Sequence, residues 1–486
     1  MITTITVFFP LVGAILMLLM KSADERTTRY TALGVAAVPL LLSLYIYFAR
    51  GSDLGAASLT QSFDWVSSLG IGYRVGLDGL GFGMFFLSAL LTLIAVVASW
   101  DVRTNLRQYY AILFIAELGM LGVFAAQDLI LFYVFFEVTL IPMYLLVGIW
   151  GDENRRPAAI KFFIYTFFGS TVMLAGFLAL GILSGPNFSI EALNAGGALS
   201  RTAQIAIAAP ILVGLLIKVP AVPFHSWLLD VYVSSPISTN VVLSGILPKL
   251  GTYGLIKIAI PLLPQGVEPF LPYLAAFGVL NIIYGAFVAF LQTDLKALVA
   301  YSSIGTLGFI LLGIASGNAL GINGAVMQQV THGLYSALLF ILVGIIASRA
   351  GTRRIADLGG LAARMPWAGG LLALGAFAAM GVPGLAVFVS EFMSIMGGYT
   401  AFPVQGILAA VGILLGAMYL LYMLQRVIFG PIKRPALAEA ADAGPMEMAA
   451  IVPLALLLVV LGIFPGLLIN VQRPAVEVVL AAIGGS

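Results

Sequence analysis

The stretch Leu216-Ile-Lys-Val-Pro-Ala-Val-Pro-Phe224 places a lysine and two prolines inside a long apolar run. Proline has no backbone N–H and its ring clashes with the preceding turn, so Pro220 and Pro223 interrupt a helix and free backbone carbonyls. In lipid, such an interruption is tolerated only where the backbone is buried in protein or faces a hydrated cavity. The stretch therefore predicts a broken membrane helix, the seventh along the chain, over residues 203–224, with Lys218 at its break.

The composition of the whole chain is typical of a membrane protein. Of its 486 residues, 61% are hydrophobic and 9% are charged, and the mean hydropathy is +1.09. Soluble domains carry about 25% charged residues, so a soluble fold of this size would leave long apolar stretches on its surface. Because about 20 residues span one bilayer, the apolar runs predict an all-α polytopic protein of fourteen transmembrane helices. The runs are too long and too uniformly apolar for the alternating segments of a β-barrel.

Rare residue types exclude several classes of site. The chain has no cysteine, which excludes disulfides, cysteine-ligated iron–sulfur clusters and thiol catalysis within it. Its two histidines, His225 and His332, are too few for a histidine-rich metal site. No glycine-rich phosphate-binding motif follows a strand, so we expect no bound cofactor and no metal in this chain. The net charge of +2 gives no reason to expect nucleic acid as a partner.

A second stretch, Met380-Gly-Val-Pro-Gly-Leu-Ala-Val-Phe388, again combines an interrupting proline with a nearby charge, Glu391. It lies in the predicted twelfth helix, 368–397, five helices after the first break. Because five is an odd number, equivalent units at these two positions must be inverted relative to each other in the membrane. Inverted repeats with discontinuous helices are typical of ion-coupled transporters. Two unrelated proline kinks are the alternative.

The basic residues separate the predicted loops into two sets. Sixteen of the 23 lysines and arginines lie in loops that follow odd-numbered helices, five lie in the opposite loops, and Lys218 and Lys249 lie inside helices. Cytoplasmic loops of membrane proteins are enriched in Lys and Arg. The asymmetry therefore predicts that the odd loops are cytoplasmic and that both termini are outside. The Ala- and Gly-rich composition favours a bacterial plasma membrane over an organellar inner membrane.

Five charged residues fall at bilayer depth within predicted helices, namely Glu117, Glu137, Lys218, Lys249 and Glu391. On insertion scales, such a residue costs roughly 2.5–3.5 kcal/mol at the centre of a helix. Glu117 and Glu137 each lie about ten residues from the turn between helices four and five, and are therefore about 15 Å deep, near the midplane. Two close carboxylates disfavour each other's charged form unless a cation lies nearby, and a lysine is the obvious partner. A set of structural ion pairs is the alternative, but five charges favour a proton path.

The two histidines extend this set. His332, in Gln328-Gln-Val-Thr-His-Gly-Leu, lies between Lys249 and Glu391 in chain order, and is either a proton relay or a packing residue. His225 follows the first break, as either a relay near the cytoplasmic entrance or a cap for the broken helix. Helix ten adds hydroxyl groups that can hold ordered water, those of Tyr301, Ser302, Ser303 and Thr306.

Longer motifs around these positions resemble a known family. They are Phe132-Tyr-Val-Phe-Phe-Glu-Val-Thr-Leu-Ile-Pro-Met-Tyr144 with Gly148-Ile-Trp-Gly151, Lys218-Val-Pro with Phe224-His-Ser-Trp, Leu298-Val-Ala-Tyr-Ser-Ser-Ile304, Thr331-His-Gly-Leu, and Phe388-Val-Ser-Glu-Phe392. From about residue 75 to 470, the chain resembles the antiporter-like membrane subunits of respiratory complex I, and among them the chain M, or subunit 4, group. The resemblance implies fourteen helices, two inverted five-helix repeats formed by helices 4–8 and 9–13, and a proton half-channel in each repeat.

The resemblance also implies a division of the chain into four regions. They are residues 1–108, with helices 1–3 and an external loop; 109–260, the first antiporter-like repeat; 270–430, the second, inverted repeat; and 431–486, with helix 14 at 448–470.

Site residues follow from the same motifs. Glu137 matches the helix-five glutamate that pairs with the lysine of the broken helix, here Lys218, and Lys249 matches the central lysine of helix eight. His332 matches the helix-eleven histidine. Glu391 matches the charged residue of the second broken helix, which is glutamate in this group and lysine in sister subunits.

Glu117 and His225 complete the predicted proton-transfer set.

The chain departs from the family pattern at two places. Members often read Ser-His-Met-Gly in helix ten, whereas this chain reads Gly305-Thr-Leu-Gly308, so Thr306 with a bridging water is expected to replace a histidine. The loop after the first break reads Trp227-Leu-Leu-Asp230 in place of Trp-Leu-Pro-Asp.

These observations predict a proton-translocating membrane-arm subunit of an NADH:quinone oxidoreductase. The resemblance implies that partner subunits bind NADH, FMN, iron–sulfur clusters and quinone, and that neighbouring membrane-arm subunits and lipids surround this chain. A subunit of a sodium/proton antiporter or of a membrane-bound hydrogenase of the same superfamily is the alternative. A haem- or quinone-binding membrane enzyme is a more distant one, since paired axial histidines would have to be His225 and His332.

Overall fold

A computed structural model describes residues 1–20, 24–50, 54, 58–195 and 199–484. Part of the predicted external loop, 51–53 and 55–57, and the last two residues of the C-terminus lie outside these ranges. Thirteen helices in the described ranges are long and apolar enough to cross a membrane. They are Ile2–Leu19, Glu25–Arg50, Gly79–Ala98, Leu106–Ala125, Leu129–Trp150, Arg155–Leu183, Arg201–Lys218, Ile237–Leu262, Pro264–Phe290, Leu295–Ala315, Ala319–Ala350, Pro403–Val427 and Pro445–Ile463.

The twelfth predicted helix is present as two shorter helices, Pro366–Ala379 and Ala386–Ala401. With this pair, all fourteen predicted helices are found, and the prediction of an all-α polytopic membrane protein is confirmed. The described chain also has shorter helices and a helix after the fourteenth. They are Ile190–Ala195, Ser226–Ser234, Leu361–Arg364, Pro435–Ala438 and Gly466–Ala482, with the 3-10 turns Ser67–Leu69, Glu268–Phe270 and Ile355–Asp357.

Both predicted breaks are present. The seventh helix ends at Lys218 and resumes at Ser226, so the prediction that it continues to residue 224 is wrong. It ends early because neither Pro220 nor Pro223 has an N–H to continue the backbone ladder. In the twelfth helix, the break between Ala379 and Ala386 contains two glycines with left-handed backbone angles, Gly381 at φ 69° and Gly384 at φ 94°, which glycine adopts without steric cost.

The eighth helix is irregular around its lysine. It consists of Ile237–Gly245 and Leu247–Gly254, followed by a π-helical turn, Leu255–Ala259, and Ile260–Leu262. The first irregularity lies just before Pro248, which cannot donate to the preceding turn. Single π-turns within α-helices occur frequently at functional sites. Lys249 therefore lies on a helix whose regular ladder is interrupted on both sides of it.

A β-hairpin follows the second helix. Strands Ser58–Val66 and Ile71–Leu77 pair antiparallel. The hairpin is attached to the turn between helices four and five, where a side-chain nitrogen of Arg74 lies 2.6 Å from Asp128 Oδ2. The hydroxyl of Tyr73 also donates a hydrogen bond of 2.9 Å to the first helix. The hairpin thus covers the end of the bundle at which helix four turns into helix five.

The core lies among the helices that carry the buried polar residues. The buried share of a span is 100% for Leu295–Ala315 and 94% for Ile237–Leu262, and falls to 33% for Pro403–Val427 and 28% for Pro445–Ile463. A helix covered by protein on all sides can hold polar groups that lipid would not accept. The eighth and tenth helices therefore form the centre of the bundle, and the first, second, thirteenth and fourteenth helices form its periphery.

An additional helix, Gly466–Ala482, follows the fourteenth. The prediction of one helix over 448–470 is wrong, because the fourteenth helix ends at Ile463 and Pro465 precedes a new one. The new helix packs against Gly79–Ala98 and Ala319–Ala350, and its buried Gln472 donates a hydrogen bond of 2.8 Å to the carbonyl of Asn323. Its amphipathic pattern is hidden in the sequence because it continues the apolar run of the preceding helix.

Candidate functional site

Helices four and five place their two carboxylates at nearly the same depth. A Cβ at Gly119 would lie 2.9 Å from the backbone nitrogen of Thr139 and 3.0 Å from the carbonyl oxygen of Phe135, so these antiparallel helices are in contact at this level. Glu137 lies between those two positions, and Glu117 lies only two residues before Gly119. The fourth helix buries Glu117 completely, and neither of its carboxylate oxygens has a hydrogen-bond partner among the described residues.

Lys218 lies at the end of the first half of the seventh helix and is 2% exposed. Its Nζ is 4.6 Å from the centroid of the Phe136 ring, a distance at which an ammonium is attracted to an aromatic face. The charges of Lys218 and Glu137 interact, although no N–O distance of 4.0 Å or less joins these two described residues. The predicted partners are thus electrostatic neighbours, and one oxygen of Glu137 is buried without a described hydrogen-bond partner.

The break in the seventh helix is held by a residue that no sequence motif identifies. Asn281, fully buried in the ninth helix, accepts a hydrogen bond of 2.7 Å from the N–H of Val222 and donates one of 3.4 Å to the carbonyl of Pro220. Buried backbone groups need such partners. The only sequence signal for this role is an amide side chain in an otherwise apolar helix.

His225 lies at the start of the second half of the seventh helix. Its side chain makes no capping hydrogen bond to that half of the helix. Its Nε2 is instead 3.1 Å from the hydroxyl of Tyr284, and its Nδ1 has no described partner. One turn away, Lys161 forms an ion pair of 2.8 Å with Asp230. His225 therefore has one ring nitrogen hydrogen-bonded to Tyr284 and one buried without a described partner, beside a pair of charges at the predicted cytoplasmic side.

Lys249 and His332 are brought into direct contact. Nζ of Lys249 is hydrogen-bonded to Nδ1 of His332 and donates a second hydrogen bond, of 2.6 Å, to the carbonyl of Ser244. Both side chains are fully buried. An ammonium has no acceptor site, so Nδ1 must be unprotonated when Lys249 is charged. Because two cations at hydrogen-bond distance would repel each other, the pair carries at most one positive charge, which either residue can hold.

Glu391 lies beyond this pair, in the second half of the twelfth helix. Its Oε1 accepts a hydrogen bond of 3.2 Å from Gln328 Nε2 of the eleventh helix. A side chain at Gly381 would come within 3.0 Å of its Oε2, so the glycine of the break leaves space beside the carboxylate. The eleventh and twelfth helices are also joined by Thr331 and Ser390, whose hydroxyls are 3.0 Å apart.

The structure thus forms two groups from the predicted residues. Glu137 and Lys218 form one, and Lys249 and His332, with Glu391 nearby, form the other. The two groups are on helices in contact, since a Cβ at Gly251 would lie 2.8 Å from the carbonyl of Leu215 in the seventh helix. No hydrogen bond between described residues joins Lys218 to Lys249. Within the described ranges, no cluster of three or more His, Asp or Glu residues has the geometry of a metal site.

Comparison with known proteins identifies the family. Residues 126–416 match the family described as NADH:quinone oxidoreductase/Mrp antiporter, TM. The chain is 35% identical over 485 residues to the NADH-quinone oxidoreductase subunit M of Rickettsia bellii (strain RML369-C), and the alignment covers 98% of each.

Solved structures agree with this match. The fold is similar to a chain in the structure of respiratory complex I from Thermus thermophilus with bound NADH, with a TM-score of 0.92, 30% identity and 100% coverage of both chains. It also shares its fold with a chain of the Mrp complex from Dietzia sp. DQ12-45-1b, with a TM-score of 0.87, 21% identity and 99% coverage of both chains. Together with its full-length match to subunit M, this shows that the chain belongs to the antiporter-like membrane subunits of NADH:quinone oxidoreductase, in the subunit M family.

Proposed function

We propose that this chain moves protons across the membrane within an NADH:quinone oxidoreductase, using Glu137, Lys218, Lys249, His332 and Glu391 as its proton-transfer residues. The hydrogen bond between Lys249 and His332 is the observation that carries the proposal, because it places two groups that share one proton at the centre of the bundle. A buried charged residue in a membrane helix is a functional candidate by default.

The mechanism begins at the first break. Glu137 holds the positive charge on Lys218 through its own negative charge. A change in a neighbouring subunit moves the two apart, and Lys218, which is then desolvated without its counter-charge, releases its proton. The proton travels through water to Lys249, whose new charge drives the shared proton onto His332. Glu391 accepts it at the second break.

Glu117 and His225 have supporting roles in this proposal. Glu117 lies at nearly the depth of Glu137 and has no described partner, so it is a second carboxylate to which a proton can pass on the same side of the bundle. His225, with Tyr284, lies next to the seventh-helix break and supplies protons from the cytoplasmic side.

The two breaks support a pair of inverted repeats, helices 4–8 and 9–13, each with one half-channel. In each unit the interrupted helix carries or precedes a titratable residue near the break, Lys218 in the first and Glu391 in the second. Discontinuous helices at the midplane are the usual sites of ion coupling in inverted-repeat transporters. The regions 109–260 and 270–430 are the corresponding units.

Redox chemistry belongs to other subunits in this proposal. The relatives are named as subunits of an NADH-quinone oxidoreductase, so we infer that partner subunits bind NADH, FMN, iron–sulfur clusters and quinone. Neighbouring membrane-arm subunits and lipids cover the exposed apolar periphery. The distribution of lysine and arginine supports an orientation with both termini on the outer side. The Ala- and Gly-rich composition supports a bacterial plasma membrane.

A subunit of a sodium/proton antiporter is the second candidate, because the matched family includes Mrp antiporters. Sodium dependence separates the two. Proton translocation in sodium-free buffer supports a subunit of NADH:quinone oxidoreductase, whereas a strict requirement for sodium supports a subunit of a sodium/proton antiporter.

The test uses the assembled complex in sealed vesicles. Lys249→Met keeps the length of the side chain and removes its charge, so NADH-driven acidification of the lumen should fall about tenfold or more, as expected for loss of a proton-transfer group. Leu250→Met is the matched control, since volume-conserving swaps in a core usually cost less than about 1.5 kcal/mol. The proposal is wrong if the Lys249→Met complex acidifies the lumen at the rate of the Leu250→Met complex.

Glu137→Ala should reduce proton pumping more than it reduces assembly of the complex.

A further inference from the structure

Four hydroxyl groups lie between His332 and Glu391, on three helices. The hydroxyl of Tyr335, in the eleventh helix, is hydrogen-bonded to that of Thr306 in the tenth. One turn earlier in the tenth helix, Ser302 Oγ accepts a hydrogen bond of 2.8 Å from the hydroxyl of Tyr419 in the thirteenth. All four side chains are buried. We call these residues, Ser302, Thr306, Tyr335 and Tyr419, the hydroxyl cluster.

A small cavity lies between the hydroxyl cluster and the carboxylate. Its volume is about 20 Å³, and its walls include Ser302, Thr306, Tyr419 and Glu391. A cavity needs about 10–15 Å³ of such volume and two to four polar partners to hold one water molecule. The cavity therefore fits a single water with hydroxyl partners on one side and a carboxylate on the other.

The direct alternatives for joining His332 to Glu391 are poor. Nε2 of His332 has no hydrogen-bond partner among the described residues. Oε1 of Glu391 accepts a hydrogen bond from the side-chain amide of Gln328. An amide nitrogen only donates, so this amide cannot take up a proton and pass it on. A hydroxyl both donates and accepts. Tyr335 carries such a group and contacts the histidine, since the two rings are perpendicular with centroids 5.1 Å apart.

We propose that the hydroxyls of Tyr335 and Thr306 and one water in this cavity carry the proton from His332 to Glu391, and that Tyr419 and Ser302 hold the water in place. This inference deepens the proposed function and rests on it. It assigns Tyr335 a proton-transfer role and Tyr419 a positioning role.

The transfer balances at each oxygen. When the shared proton passes from Lys249 to Nδ1 of His332, the imidazolium that forms releases its Nε2–H towards Tyr335, since no hydrogen bond from a described residue holds Nε2. The phenol accepts this proton as its own O–H proton passes to Thr306. The hydroxyl proton of Thr306 passes to the water, and the water gives one proton to the carboxylate. Every hydroxyl and the water end neutral, His332 ends neutral, and Glu391 ends as a carboxylic acid.

The test compares hydroxyl-deleting variants with matched controls in the assembled complex. Thr306→Val removes the hydroxyl at constant shape, whereas Thr306→Ser keeps it. Tyr335→Phe removes one phenol oxygen, and Tyr232→Phe removes another, equally buried but outside the cluster, whose hydroxyl bonds only weakly, at 3.4 Å, to the carbonyl of Leu243. Acidification of sealed vesicles should fall about tenfold in Thr306→Val and Tyr335→Phe, by loss of a proton-transfer step. It should remain near wild type in both controls.

Two results would overturn the inference. One is equal pumping by Thr306→Val and Thr306→Ser, which decides the matter even if Tyr335→Phe does not assemble. The other is equal pumping by Tyr335→Phe and Tyr232→Phe. If either occurs while Lys249→Met still abolishes pumping, the hydroxyl cluster is not the route but the proposed function stands. If Lys249→Met also pumps normally, the proposed function itself is wrong.

Discussion

Nζ of Lys249 is hydrogen-bonded to Nδ1 of His332, across two helices and 83 positions of the chain. The bond joins the lysine of the irregular eighth helix to the one histidine of the eleventh. It makes the protonation of each residue depend on that of the other, because the pair accommodates one positive charge and not two.

This bond leads to the first prediction. His332→Asn places an amide oxygen near the position of Nδ1, so it preserves an acceptor for Lys249, and the complex should assemble. An amide cannot take up and release a proton, and lumen acidification should fall about tenfold or more. The amount of assembled complex on a native gel is the control. Wild-type acidification by the variant would show that the imidazole does not carry the proton.

The second prediction separates charge from proton exchange at Lys218. Lys218→Arg keeps a cation beside the Phe136 ring and in the field of Glu137, so a purely structural charge would be preserved. Arginine has a pKa above about 12 and does not release its proton. Pumping should therefore fail with arginine as it does with Lys218→Ala, although the complex assembles. An arginine variant that acidifies the lumen at the wild-type rate would mean that Lys218 is a fixed charge.

The third prediction concerns orientation. Ser68→Cys lies at the exposed tip of the hairpin, and Ala356→Cys lies in the exposed loop after the eleventh helix. An impermeant thiol reagent should label the first only from outside and the second only from the cytoplasm, because the basic loops face the cytoplasm. The native chain has no cysteine and serves as an unlabelled control. Labelling of both positions from the same side would contradict the fourteen-helix topology.

The fourth prediction concerns Asn281, which holds the break of the seventh helix. Asn281→Leu leaves the buried N–H of Val222 without its acceptor, which costs about 1–3 kcal/mol. The thermal midpoint of the purified complex should fall by several degrees. Leu280→Met, on the exposed side of the same helix, is the control. An unchanged midpoint in Asn281→Leu would show that another group satisfies the break.

The sequence predicts the two breaks well because proline acts locally, through its missing N–H. Pro220 and Pro383 each need no partner to interrupt a helix, so the position of each interruption can be recognised from a few residues. Length and hydropathy predict the spans for the same reason. The boundary at Lys218 was harder, since apolar residues continue past the end of the helix.

The contacts between helices could not be predicted in this way. Asn281, Tyr335 and Tyr419 are single polar residues in apolar runs, and their importance depends on which distant residue each one faces. The order of Lys249, His332 and Glu391 in the chain suggests a path, but only the packing of helices eight, ten, eleven and twelve shows which of them are in contact. The separate helix Gly466–Ala482 cannot be recognised from the sequence, because its amphipathic face becomes visible only against the bundle.

The complete burial of Leu295–Ala315 has a consequence for the biosynthesis of the chain. This span is made before the eleventh, twelfth and thirteenth helices, which pack against it in the finished protein. Until Tyr419 emerges from the ribosome, the hydroxyl of Ser302 lacks its partner. A chain truncated before Tyr419 would therefore leave this buried hydroxyl without the hydrogen bond that the thirteenth helix supplies. The site beside Glu391 is thus completed only when one of the last membrane spans has been made.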